Sequence, residues 1–222
     1  MTQPSSVQGL EGLPHGGEPL PRRHALSRED VRESQRGRLL CAALHIVAEK
    51  GYHAATIGDV VERAVVSRKT FYQHFQTKDE CFLAAYDNAM KVLTEPFPAF
   101  LESAAQGNDW RGPMQEGIQA FLQKLESQPD AARATFLELH SGGEYGQLWM
   151  AGRRLFADMF RAVNVIAREQ NPALPVREPA VFDLLVGGIG ELIRGHLLAH
   201  GARGLTELRP VLNQAIFAFF GE

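Results

Sequence analysis

The stretch TIGDVVERAVVSRKTFYQHF, Thr56 to Phe75, holds two helical periods so close together that only a tight turn can join them. Thr56 and Asp59 have the spacing of a reciprocal cap, in which a hydroxyl and a carboxylate each satisfy a backbone amide left open at a helix start. Ile57, Val60, Val61 and Ala64 follow at i, i+3, i+4 and i+7, the stripe a short helix buries. Val65 and Val66 leave a brief turn before Ser67, which can cap a second helix. There Phe71 and Phe75 stand at i and i+4 and point inward, so Arg68, Lys69, Tyr72 and Gln73 project from the opposite side. Such a pair, with a basic and aromatic outer face on its second member, is a helix-turn-helix whose second helix can enter the major groove.

The rest of the chain has the same helical grammar. Ser27 and Asp30 repeat the cap spacing ahead of a helix that buries Leu40, Ala43, Leu44 and Val47 and should stop at Gly51. Thr77 to Glu80 opens a longer helix carrying Cys81, Phe82, Ala85 and Ala89, expected to connect two modules and break near Pro96 and Pro98. Beyond it, Trp110 to Leu125, Pro129 to roughly His140, Tyr145 to about Gln170, Pro179 to His200 and Leu205 to Phe220 read as helices, separated by Gly and Pro punctuation. No segment has strand period. The expectation is an all-α chain: a Gly/Pro-rich disordered arm over 1–26, a three-helix DNA-binding domain over 27–80, and a larger helical effector-binding and dimerisation domain over 81–222.

Charge supports that division. The chain has formal net charge −3, yet Arg22 to Glu80 carries +3 and Cys81 to Glu222 carries −4. An anionic partner is therefore expected for the first part, and counterion release depends on those local contacts rather than on the total. Arg22, Arg23, Arg28, Arg32, Arg36 and Arg38 make a basic run that either reaches flanking DNA or is simply solvated, since Glu29, Asp30 and Glu33 offset half of it. Cys41 and Cys81 lie in apolar stretches without C-x-x-C spacing, so neither a disulfide framework nor a zinc site is favoured, and a cytoplasmic address fits. No secretory leader pattern and no apolar run of membrane-spanning length is present. No cofactor is implied, and no G-x-S-x-G, H-E-x-x-H, P-loop or dinucleotide fingerprint appears.

Thr56-Ile57, Asp59-Val60-Val61, Ala64, Val66-Ser67, Thr70-Phe71-Tyr72, His74-Phe75 and Lys78 follow the pattern T-I-x-x-I-A-x-x-A-G-V-S-x-x-T-x-Y-x-H-F-x-x-K in order and spacing. The segment from about Leu39 to Leu83 thus resembles the tetracycline-repressor (TetR/AcrR) family of bacterial transcription regulators. The resemblance implies a ligand-responsive repressor that binds palindromic double-stranded DNA as a homodimer, with no membrane partner. It implies Thr56, Tyr72 and Lys78 on phosphates and Arg68, Lys69 and Thr70 nearest base edges. Ser67 joins the candidate surface, and His74 either adds a contact or is partly buried beside Phe75. One position departs: where the family usually has Gly in the turn, this chain has Val65, a β-branched residue that tolerates positive φ poorly. Either the turn keeps its shape under strain or it is re-shaped.

Trp110, Phe136, Trp149, Phe156 and Met159, with His140, Glu138 or Asn164 for polar contact, are candidates to line a site for a small apolar effector, against the plainer reading of core packing. Gly187, Gly188 and Gly195 on a helix with Leu192 call for close helix approach, and with Ile216 and Phe219 they are expected to form a two-fold dimer interface. His196 and His200 have metal-compatible spacing but lack a third ligand nearby in sequence. Two competitors stand: an architectural DNA-binding protein without ligand control, and an α-helical enzyme using Glu138, His140 and Glu144 as acid and base.

Overall fold

The computed structural model describes residues 27–107, 109–138 and 146–221. These residues form helices α1 (Arg28–Lys50), α2 (Ile57–Ala64), α3 (Arg68–His74), α4 (Lys78–Thr94), α5 (Phe97–Gln106), α6 (Arg111–Ser127), α7 (Pro129–Arg133), a π-helical turn (Ala134–Glu138), α8 (Gly146–Gln170), α9 (Pro179–His200), a 3-10 turn (Leu205–Leu208) and α10 (Arg209–Phe220). No strand occurs among them. The arm expected over 1–26 lies outside the described residues.

The sequence caps form as expected. The Ser27 hydroxyl accepts the Asp30 amide while the Asp30 carboxylate accepts the Ser27 amide, so α1 starts with both donors satisfied. Gly51 ends it at φ 79, a left-handed conformation that costs glycine little. Two expectations needed adjusting. α4 ends at Thr94 and the chain breaks at Pro96 as expected, but a further helix, α5, follows from Phe97 and tolerates Pro98 because a proline in the first turn forfeits no intrahelical bond. The final helix begins at Arg209, the residues before it forming the 3-10 turn.

The chain divides into two compact units. One comprises 27–43 and Thr56–Val92 of the described residues, the other Leu44–Ala55 and the described residues after Val92. In the first, Leu39, Leu40, Val60, Ala64, Phe71, Phe75, Phe82 and Ala85 are buried, with Leu39, Phe71 and Ala85 at 0% exposure. Truncating a ring such as Phe71 there should cost about 3–5 kcal/mol.

The second unit is built on the α8–α9 pair with α5, α6 and α10. Its core joins Trp110, Met114, Leu122, Phe160, Val163, Phe182, Leu212 and Phe220. Polar side chains close the helix ends. Gln170 donates to the carbonyls of Ala104 and Gly107 and accepts the Trp110 amide, stitching the end of α5 to the start of α6. Glu126 accepts the Gly204 amide at 2.7 Å and the Thr206 hydroxyl at 3.0 Å, which fixes the turn after α9.

Candidate nucleic-acid interface and effector site

Helix α3 is placed by its caps and its two phenylalanines. Thr56 and Asp59 complete the reciprocal cap on α2, and Ser67 Oγ accepts the Thr70 amide to start α3. Phe71 and Phe75 are buried, whereas Ser67, Arg68, Lys69, Tyr72 and Gln73 are exposed, Tyr72 at 56%. Thr56 is exposed, and Thr70 and Lys78 are half-buried. The geometry therefore gathers six of the eight expected contacts, Ser67 to Thr70, Tyr72 and His74, on one short helix and its cap. The Arg68 guanidinium is folded back toward α2, so that a Cβ on Gly58 would stand 3.3 Å from its Nη2.

His74 is placed less favourably for contact. Its Nε2 is buried without a hydrogen-bond partner among the described residues, and burial, followed by the positive charges of Arg32 and Arg36, pushes its pKa down. Arg36 also lies over the Phe75 ring at 5.5 Å, so part of the basic run steadies the end of α3 from within its own unit. That role was not visible in the sequence, because nothing in the spacing says which arginine meets which ring.

The expected effector residues separate into three groups. Trp110 is 1% exposed and stacks on Phe220 at 4.8 Å, so it is a core residue of the α6–α10 contact. Phe136, on the π-helical turn, meets the edge of Trp149 at 5.7 Å. Phe156 lies between Phe97 and Phe121, each at 5.3 Å, with Met159 one turn further along α8. His140 lies outside the described residues. Two buried polar groups accompany these rings: Asn164 Nδ2 and Thr135 Oγ1 have no hydrogen-bond partner among the described residues. Thr135 went unnoticed in the sequence, where a lone threonine in an apolar run carries no signal. A single π-helical turn, with its widened backbone spacing, often marks a functional position.

The glycines of α9 serve two faces. Gly190 is buried beneath Trp149, whose Cη2 would lie 3.6 Å from a Cβ there, and Gly187 lies beneath Arg153. Gly188 and Gly195 are exposed with open space around them, alongside Leu184 at 74%, Leu192 at 37% and Leu198 at 61%. Ile216 is buried at 1%, and Phe219 is half-buried against Phe182. Of the residues assigned to a dimer interface, Gly188, Leu192 and Gly195 share an open face, while Gly187, Ile216 and Phe219 are used within the chain.

The sequence model of bacterial regulatory proteins of the tetR family matches residues 39–85, the segment that builds this helix-turn-helix. Its helix-turn-helix segment is that of the tetracycline-repressor family. The chain is 31% identical to the transcriptional activator FasR of Mycolicibacterium smegmatis over 47% of each chain. It is 27% identical to the transcriptional regulator EthR of the same organism, over 70% of this chain and 69% of EthR. The match thus spans about half the length of FasR. The fold resembles that of FadR from Bacillus subtilis, solved in complex with stearoyl-CoA: TM-score 0.67 and 16% identity, over 83% of this chain and 97% of FadR.

Against the tetracycline-repressor pattern the Val65 departure has a definite outcome. Val65 sits at φ 52 and ψ 51, so the turn keeps the left-handed corner instead of re-shaping. It is the sole non-glycine residue with positive φ among the described residues, and such a conformation costs about 1–3 kcal/mol. The His196 and His200 rings are 5.0 Å apart, and His196 Nε2 is 2.9 Å from the Arg203 carbonyl oxygen; no group of three metal-ligating side chains occurs among the described residues. No described helix is long and apolar enough to cross a membrane.

Proposed function

We propose that this protein is a DNA-binding transcriptional regulator that binds a palindromic operator as a homodimer and releases it when an apolar small molecule enters the helical effector unit. The observation that carries the reading is the exposed α3 surface of Arg68, Lys69 and Tyr72, held rigid by buried Phe71 and Phe75. Arginine and lysine donate to guanine edges or phosphates, and the phenol and the hydroxyls of Ser67 and Thr70 fix register on the backbone. Two such helices meet successive major grooves only when about 34–36 Å apart, which a two-fold dimer provides. The open face of Leu184, Gly188, Leu192, Gly195 and Leu198 supports dimerisation through α9, because small residues allow close helix approach and three leucines otherwise remain in water.

For the effector, the Phe136–Trp149 and Phe97–Phe156–Phe121 groups favour an apolar body. FadR, bound to stearoyl-CoA, supplies the class of molecule to try first. The test is selection of binding sites from a random duplex pool, followed by titration of the enriched duplex against salt and against stearoyl-CoA. An enriched palindrome with a steep salt dependence, weakened by the ligand, is the expected result. Absence of any enriched site would remove the DNA-binding reading. Ligand-insensitive binding would leave an architectural protein.

A further inference from the structure

The corner between α2 and α3 is held from a third helix. Val66 N–H donates to the Val61 carbonyl and Val65 N–H to the Glu62 carbonyl, the paired bonds of a left-handed helix stop that ordinarily uses glycine. Val65 has a branched side chain instead and gains no burial for it, being 65% exposed. The carbonyls of Ala64 and Val65 lie at the end of the helix, where they are left without intrahelical partners. Both are met by one group: Arg38 Nη1 of α1 donates to Ala64 O at 2.9 Å and to Val65 O at 3.2 Å. A guanidinium at a helix C-terminus also faces the negative end of its dipole, so the contact is favoured by charge as well as by hydrogen bonding.

We propose that Arg38 is a positioning residue for DNA recognition: by clamping the carbonyls on either side of the Val65 corner, it holds a strained turn in the one conformation that aims α3 at the groove. The proposal rests on the DNA-reading role of α3. Arg38 itself need not touch DNA. The corner backbone is the hinge between the two helices, so a small change in the φ and ψ of Val65 swings Arg68, Lys69 and Tyr72 together and misplaces every contact at once. Glycine at position 65 would adopt the same corner without strain. The clamp is therefore required because of the valine, and the two positions should depend on each other.

The test is a cycle of Arg38→Met, Val65→Gly and the double variant in the full chain, read by fluorescence anisotropy on the duplex that the wild type enriches from a random pool. Measurements are made at a temperature where circular dichroism shows all variants folded. Arg38→Met should weaken binding about tenfold, the order expected for lost charge-assisted hydrogen bonds. Its salt dependence should keep the wild-type slope. Val65→Gly should bind at least as well as wild type, and the double variant should match Val65→Gly. A shallower slope, by about one unit, would make Arg38 a phosphate contact and overturn the proposal. Unchanged affinity in Arg38→Met, or a loss that Val65→Gly leaves unrepaired, overturns it too. If Arg38→Met alone does not fold, the double variant decides: folded and binding like Val65→Gly supports the clamp, and unfolded refutes it. Should no duplex be enriched, the DNA reading falls, and the clamp is judged by urea unfolding of the same four proteins. Arg38→Met must then destabilise the valine protein more than the glycine protein, and additive effects refute it.

Discussion

The guanidinium of Arg153 and the backbone of Gly187 occupy adjoining space that no added atom can share: Nη2 donates to the Asp183 carbonyl at 2.7 Å and lies 2.8 Å from where a Cβ on Gly187 would stand. Alanine at 187 makes the end of the flexible Arg153 side chain shift, and its bond to Asp183 is the contact at stake. The gain in helix propensity, about 1 kcal/mol, is then set against loss of a charge-assisted bond of about 1.5–3 kcal/mol. We expect Gly187→Ala to destabilise the wild type by roughly 1 kcal/mol and to stabilise an Arg153→Ala variant by a similar amount. Urea unfolding checks the reversal of sign. The same sign in both backgrounds would show that Arg153 does not hold Asp183 in solution.

The neighbouring glycine should behave in the opposite way. A Cβ at Gly188 meets nothing within the chain. Gly188→Glu is therefore expected to leave the fold intact while preventing association, since a carboxylate in a close helix contact is desolvated without a partner. Sedimentation of the two proteins provides the measurement. A monomeric wild type, or a variant that still dimerises, would take α9 out of the interface.

On α3, substituting the exposed Lys69 or Tyr72 with Ala should cost about 1–3 kcal/mol of operator affinity with helicity unchanged. Binding titrations on the selected duplex, with circular dichroism alongside, decide the matter. Full affinity in both variants would mean that this face is not the reader.

Glu126 gives a pH dependence with a defined sign. Its hydrogen bond from the Gly204 amide, helped by that from Thr206, lowers its pKa from the ordinary 4.5 in the folded chain. The folded state thus binds this proton less readily than the unfolded state. The resulting stability is present above the unfolded pKa and is lost as pH falls through the folded one. The stability difference between wild type and Glu126→Gln should accordingly be constant near neutrality and shrink in acid, below about pH 4.5. Urea unfolding across that range measures it. A difference that grows on acidification would contradict the assignment.

What the sequence determined by itself are the features set by neighbours in the chain. The Thr56–Asp59 cap, the Ser67 start of α3 and the inward i, i+4 pair Phe71 and Phe75 each depend on residues within one helical turn. Local hydrogen bonding and helical period are enough to place them, and the exposed face of α3 follows because it is what remains. The all-α class followed for the same reason. What only the tertiary structure decided depends on residues far apart in sequence. Gly187 and Gly188 are adjacent and identical, yet one lies under Arg153 and the other faces open space, a difference set by where α8 packs. Trp110 and Trp149 carry the same side chain, but stacking on Phe220 commits the first to the core. Arg38 meets the Val65 corner across 27 residues, a pairing no period encodes. Side-chain chemistry is written locally, whereas the assignment of each side chain to core, clamp or open face is made by packing, because burial and hydrogen-bond satisfaction are settled only when distant helices meet.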